Sequence, residues 1–462
     1  MREAPDVDSD QRAAVEKRLR DEGIETVLCV VPDLWGRLMG KRVTTDTFLK
    51  TALGPEGLHA SLYLFVVDMD MDPRPGYELS SWRTGFSDFR MVPDLATFRV
   101  AGWLDSTAIV ICDACEEEGD ALVEVAPRSI LRRQVERAAA AGLAFKMATE
   151  LEFYLYRNPP AQAWERRYLD LDPVTYYRAD YHILASTRSD GFIEAIRRHM
   201  NAAGVEVEFS KSEWGLGQQE INLRYTDALE IADRHVLYKN GVKEMAHASD
   251  LSATFMAKPS IAEIGSSCHI HASVWDTGGT ARMPDPASGH ELSGLGRSFL
   301  GGMLAHTPEL MWLFAPNVNS YKRFQSESFA PTAVAWGRDN RTCGYRVVGE
   351  GDSLRVENRM PGADVNPYLS CAATVIAGLD GIERGLDCGE PYDGNAYTNS
   401  ELSAVPTTLR DGLELFSRSS VAAAALGGPV HEHLVNFARQ ELEAFQHECV
   451  TDWERIRYFE RI

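Results

Sequence analysis

The stretch Ala144–Tyr156, AFKMATELEFYLY, constrains this chain more than any other, because it sets two carboxylates into an apolar, β-prone run. Side chains in a strand alternate faces, so Leu151, Phe153 and Leu155 point one way while Glu150 and Glu152 point together the other way. Two like charges on one face repel. A half-buried site holds them only if cations sit between them or a proton is shared. The simplest alternative is a strand with one solvated face, and recurrence of the pattern decides between the two.

The pattern recurs three times. After Gly217 the run QQEINLRY puts Glu220, Asn222 and Arg224 on one face and Ile221 and Leu223 on the other, with Glu213 just before the Gly215 and Gly217 loop. In GSSCHIHASVW, His269 and His271 oppose Ile270; in SLRVENRM, Arg355, Glu357 and Arg359 oppose Leu354, Val356 and Asn358. Independent surface charges have no reason to choose strand-facing positions beside glycine-rich loops. Oxygen-rich ligand sets with one or two imidazoles suit Mg²⁺ or Mn²⁺ rather than structural zinc. Glu150, Glu152, Glu213, Glu220, His269 and Glu357 supply enough ligands for two such ions. Arg323, Arg341, Arg346, Arg355 and Arg359 add guanidinium forks, and carboxylates together with forks point to phosphoryl transfer. There is no GxxxxGKS loop and no GxGxxG between a strand and a helix, so neither a P-loop nor a Rossmann crossover holds the nucleotide.

A chain of 462 residues fits two or three domains. Strand-like runs, SLYLFVVDMD among them, with Pro-, Gly- and Ser-rich loops predict a small, mostly β unit over 24–113, after a polar surface helix over 8–22. EEEGDALVEVAPRS then leads into a helix at Pro127, opening a larger unit over 120–462. There the periodicity predicts helices near 191–203, 226–248, 292–309, 366–386 and 430–447, and strands near 144–156, 205–209, 219–225, 268–275 and 344–358. The alternating Asp68, Asp70 and Asp72 read as a solvated strand edge, and Cys112 and Cys115 as a buried strand end rather than a metal pair. A net charge of −21 argues against nucleic-acid or acidic-membrane partners. No apolar run is long enough for a bilayer span and MREAPDVDSDQ has no signal-peptide core, so a cytoplasmic protein is expected.

The motifs ELEFYL, EWGLGQQE, TFMAKP, GSSCHIH, NSYKRF, DNRTCGYR and RVENRMPGADVNPYL, in this order, resemble the glutamine synthetase superfamily from about residue 24 to the end. The resemblance implies an α+β fold: a small β-grasp N-terminal domain, then a larger catalytic domain with an open antiparallel sheet. It also implies a dodecamer of two hexameric rings. Carried over, Glu152, Glu213 and Glu220 would hold one ion, and Glu150, His269 and Glu357 the other. His271, Ser273, Arg346 and Arg355 would meet ATP, and Arg341 would steady the transferring phosphoryl group. Arg323, Arg359 and Gly265, with Glu152, would frame glutamate. The implied reaction is attack of glutamate's γ-carboxylate on the γ-phosphate of ATP, then displacement of phosphate by an amine.

Three positions depart from that pattern. Glutamine synthetases carry Glu before the Ala-Pro that follows NSYKR; here Phe329 stands there, with Glu327 nearby in another register. FDGSS is absent, its region reading GLHASLYLF, and Ile264 replaces the Asn before Gly265. Two anionic groups for ammonium are thus lost while the metal and phosphate ligands are kept. This suggests a γ-glutamyl-amine ligase using a primary amine, ethanolamine or a polyamine, with Phe329 as an apolar wall or cation–π face. Ordinary glutamine synthetase and a non-catalytic relative are the rivals. The context of Tyr397, GNAYTN, matches the adenylylated motif NLYDLP poorly, so that control is not expected.

Overall fold

The computed structural model describes residues 9–54, 57–289 and 291–461. The first eight positions, including the start of the expected polar helix, lie outside them; the helix itself covers Ser9–Asp21 and buries Val15 and Leu19. Six strands follow: β1 (Thr26–Pro32), β2 (Leu38–Thr44), β3 (Leu58–Ser61), β4 (Asp88–Pro93), β5 (Arg99–Val100) and β6 (Thr107–Cys115). Their order is β2-β1-β6-β4-β3, with β5 on β6, and the central β1–β6 pair is parallel while the other pairs are antiparallel. Apolar runs such as TVLCVVP and TAIVIC suit that doubly covered centre. Cys112 and Cys115 are buried free thiols in β6.

Two local expectations fail here. Most of SLYLFVVDMD is not a strand: Leu62–Phe65 is a 3-10 turn. Asp68 is not part of a wet strand edge either, because its carboxylate accepts the amides of Asp70 and Asp72 at 3.0 and 2.9 Å and pairs with Arg74. A short acidic side chain can hydrogen-bond the backbone two residues on, and that local bond outcompetes the strand.

The second sheet comprises β7 (Leu143–Tyr156), β8 (Val207–Ser212), β9 (Gln218–Leu223), β10 (Thr226–Asp227), β11 (Ser252–Thr254), β12 (Cys268–Asp276), β13 (Trp336–Arg338), β14 (Tyr345–Val348) and β15 (Arg355–Asn358). Its order is β13-β14-β15-β12-β7-β9-β8, and every pair except β13–β14 is antiparallel. The run expected as one strand over 344–358 is two, β14 and β15, because Gly349 and Gly351 take left-handed backbone between them (φ 85° and 52°) and turn the chain back. Helices Pro127–Ala140, Ala228–Ala248, Gly294–Phe314 and Pro367–Arg384 cover the apolar face of this sheet. The fold is therefore α+β.

One continuous apolar core joins the two sheets. The helix Gly428–Glu448 returns to the first of them. Phe437 packs on Trp35 with ring centroids 4.6 Å apart, His433 donates from Nε2 to the Phe65 carbonyl at 2.8 Å, and Asn436 donates to the Pro75 carbonyl at 2.9 Å. Among the described residues no helix is long and apolar enough to cross a membrane.

Candidate active site

Strand register turns the four charged faces into one stripe. Across β7–β9, Glu152 stands opposite Glu220; across β7–β12, Glu150 stands opposite His269; across β12–β15, His271 stands opposite Glu357; across β14–β15, Glu357 stands opposite Arg346. Directly opposed residues bring their Cβ atoms to roughly 5 Å, close enough for side chains to share an ion. The uncharged alternates, Leu151, Phe153, Ile221, Ile270 and Val356, all lie in the core below.

The stripe holds two groups of ligand atoms. In the first, Glu152 and Glu220 are buried, and Glu213, on the turn after β8, closes the set. Burial and then the neighbouring charge of Glu213 push Glu152 up to about 8. Burial, then Glu150 and Glu213, push Glu220 up to about 12. The nearest counter-charge is Lys211, which pairs with Glu213 at the edge and with Asp180 at 3.0 Å. Three crowded carboxylates, with Glu152 and Glu220 held against their ordinary acidity, make a cradle for a hard cation, and an all-oxygen set suits Mg²⁺ or Mn²⁺.

In the second group Glu150 and Glu357 meet both imidazoles. His269 Nδ1 lies 3.0 Å from Glu150 and 3.3 Å from Glu357, and His271 Nε2 lies 3.2 Å from Glu150. Burial would raise Glu150, but hydrogen bonds from the two histidines outweigh it and hold this carboxyl well below its usual range. Against the same burial, Arg359 and then His269 bring Glu357 down to about 2. Glu150, His271 and Glu357 offer ligand atoms to one point. Arg355, however, donates to His271 Nδ1 at 3.2 Å, which leaves Nε2 of that ring as the proton-bearing nitrogen. His269 also touches both carboxylates through its Nδ1, while its Nε2 is a buried atom without a partner among the described residues.

The arginines divide. Arg346 bridges Glu357 at 2.9 Å and Asp339 at 2.9 Å. Arg359 bonds Glu357 at 2.5 Å and the Phe329 carbonyl at 3.1 Å. Arg323 is 1% exposed and donates to the carbonyls of Met360 and Arg359, both at 2.8 Å. Burial lowers its pKa to about 10. Gly265 lies against it: a Cβ there would come within 2.3 Å of Arg323 Cγ, so only glycine permits this approach. Arg341 lies exposed on the turn before β14 and joins none of these pairs among the described residues. Ser273, on β12, accepts the Trp275 indole N–H at 2.9 Å. His271, Ser273, Arg346 and Arg355 line a cleft of about 470 Å³ with Lys146 and Glu150, large enough for a nucleotide.

Beside the first carboxylate group, Trp214 meets Phe329 edge to face with centroids 6.0 Å apart. Phe329 is half exposed and, like Glu327, takes left-handed backbone (φ 62° and 58°). Conformations of that kind in non-glycine residues cost about 1–3 kcal/mol and gather at functional sites. Four site residues were not anticipated: Gln218, Asp339, Trp214 and Arg178. Buried Gln218 donates to Glu152 and to the Gly265 carbonyl, both at 3.0 Å, coupling the first group to the glycine loop. It stands two residues before Glu220 and so on the same face of β9, which is the signal that could have found it.

The family described as "Glutamine synthetase, catalytic domain" matches residues 124–458. The chain is 48% identical over 441 residues to the γ-glutamylethanolamide synthetase GlnA4 of Streptomyces coelicolor, covering 95% of this chain and 93% of that protein. It is 37% identical over 448 residues to a glutamate–isopropylamine ligase of a Pseudomonas species, covering 96% and 97%. Among solved structures, a GmaS/ADP complex superposes with a TM-score of 0.84 at 30% identity, covering 96% of this chain and 98% of that one.

Proposed function

Because this chain belongs to the glutamine synthetase family, we propose that its charged stripe activates glutamate with ATP and passes the γ-glutamyl group to a primary amine, giving a γ-glutamyl amide, ADP and phosphate. The observation that carries the reading is the asymmetry of the site. Carboxylates, imidazoles and guanidinium forks gather along the sheet, while the loops beside them present Phe329 and Trp214. Both similar ligases act, by name, on amines bulkier than ammonia.

In the first step a γ-carboxylate oxygen of glutamate attacks the γ-phosphorus and ADP leaves. Bound divalent cations would supply charge neutralisation between the two anions. Glu152, Glu213 and Glu220 would hold one, and Glu150, Glu357 and His269 the other. His271, Ser273, Arg346 and Arg355 would align the nucleotide, and Arg341, on the exposed turn before β14, would steady the transferring phosphoryl group. Arg323, Arg359 and Gly265 frame the glutamate. In the second step the amine nitrogen attacks the acyl carbon, phosphate leaves and the amine loses a proton. An alkylamine with a pKa near ~10.4 must give up that proton on binding, and burial beside Phe329 and Trp214 favours its neutral form.

In this reading the smaller unit spans 24–113 and the catalytic unit 120–462; the enzyme works in the cytoplasm, where ATP is supplied, as two stacked hexameric rings. Phosphate release with ATP, Mg²⁺ or Mn²⁺, glutamate and a panel of amines tests it. Ethanolamine or a similar small amine should exceed ammonium in kcat/KM by about tenfold or more, the scale on which a few apolar contacts discriminate. Robust turnover with ammonium alone would return the protein to ordinary glutamine synthesis.

A further inference from the structure

The aromatic wall that an amine would meet carries a cation of its own. The Arg178 guanidinium lies over the Trp214 ring, 5.0 Å from its centroid, and donates to the Trp214 carbonyl at 3.3 Å. The same side chain reaches Glu263 at 3.4 Å, and Glu263 also accepts the Leu216 amide at 3.2 Å. Its surroundings repeat the arrangement: Arg157 and Arg188 cover Tyr176, Arg188 also covers Tyr177, and Lys211 covers Tyr181. A ligand ammonium could use an indole face through its quadrupole, but that face is already occupied.

We infer that Arg178 is a specificity-determining residue that makes this site select amines with an uncharged tail and reject diamines and longer polyamines. The inference rests on the amine-ligase reading above and sharpens it. Glu213 belongs to the first carboxylate group and is followed in the chain by Trp214; Trp214 packs on Phe329, whose carbonyl is held by Arg359. An amine attacking between these groups must run its tail along the Trp214–Phe329 pair. There a hydroxyl or alkyl tail meets apolar surface. A second ammonium meets Arg178 at the end of that surface, and Glu263, the anion that pairs with Arg178, is already committed to it and to a backbone amide. Like charge set against an unwanted ligand is a general route to selectivity.

The test compares 4-amino-1-butanol with 1,4-diaminobutane, equal in length and different only in the tail, at saturating ATP and glutamate. The wild type should favour the amino alcohol in kcat/KM. Arg178→Met should narrow that ratio about fivefold, the scale of an exposed charge interaction, through the KM of the diamine. Arg178→Lys should keep most of the ratio. Glu263→Gln, which leaves Arg178 uncompensated, should widen it and provides an independent arm if Arg178→Met does not fold. Equal use of both amines by the wild type, a ratio unmoved by Arg178→Met, or equal losses for both amines would overturn the inference and leave the ligase reading standing. Absence of turnover with every amine, alongside turnover with ammonium, would instead sink the ligase reading itself.

Discussion

Glu220 shows what the stripe costs one residue at a time. Burial and the charges of Glu150 and Glu213 oppose its ionisation, so in metal-free protein it is a liability to the fold. Glu220→Gln should therefore raise the metal-free melting temperature by roughly 2 °C, the shift expected from about 1 kcal/mol in a large domain. The stabilisation that Mn²⁺ gives the wild type, which binding to the native state alone produces, should shrink. Differential scanning fluorimetry with and without Mn²⁺ reads both, and a lower metal-free melting temperature would contradict the crowding described here. Residues such as Glu150, Glu220 and Glu357 were legible in the sequence because an ionisable side chain alternating with buried apolar ones has few innocent explanations. Trp214 and Arg178 were not, since a tryptophan on a turn and an arginine in a polar loop take their meaning only from being brought together.

At the scale of elements, the four strand faces follow from a period of two, and the antiparallel register does the rest. What the pattern missed were returns of the chain. SLYLF and VVGEGDSLR carry enough apolar residues to pass for strand, yet Ser61, whose hydroxyl accepts the Tyr63 amide, and the pair Gly349 and Gly351 bend them. The helix Gly428–Glu448 carries a testable consequence. Burial lowers the pKa of His433 from 6.5 to about 4, against the hydrogen bond to the Phe65 carbonyl. The unfolded chain therefore binds a proton there before the native one does. Above pH 6.5 this histidine contributes no pH dependence; as pH falls from 6.5 towards 4 it withdraws up to about 3 kcal/mol of stability. His433→Gln, which keeps a donor and cannot charge, should flatten the decline of melting temperature between pH 7 and pH 5. An unchanged slope would place the acid sensitivity elsewhere.

For the whole molecule, both sheets share one core, so the N-terminal strands are not an independent appendage. The polar run at 116–120 marks a change of composition, while the contact of Trp35 with Phe437 joins the N-terminal and C-terminal parts of the chain. Several large apolar side chains remain outward, among them Trp82, Trp164 and Ile261 at 81%, 71% and 76% exposure. In the proposed ring assembly such side chains are candidates for contacts between subunits. Multi-angle light scattering should give the mass of twelve 51.3 kDa chains, and a monomer or dimer at micromolar concentration would refute the ring assembly.

Phe329 sits on a loop held in a backbone conformation that its side chain disfavours, whereas every residue assigned to the metals and the nucleotide except Glu213 and Arg341 lies in a strand. In the proposed reaction, energy coupling is thus placed mostly on strands and the choice of acceptor on loops. Variation in those loops can redirect nitrogen from one carrier to another without disturbing how ATP is spent. A family built this way can diversify its products while its engine stays the same.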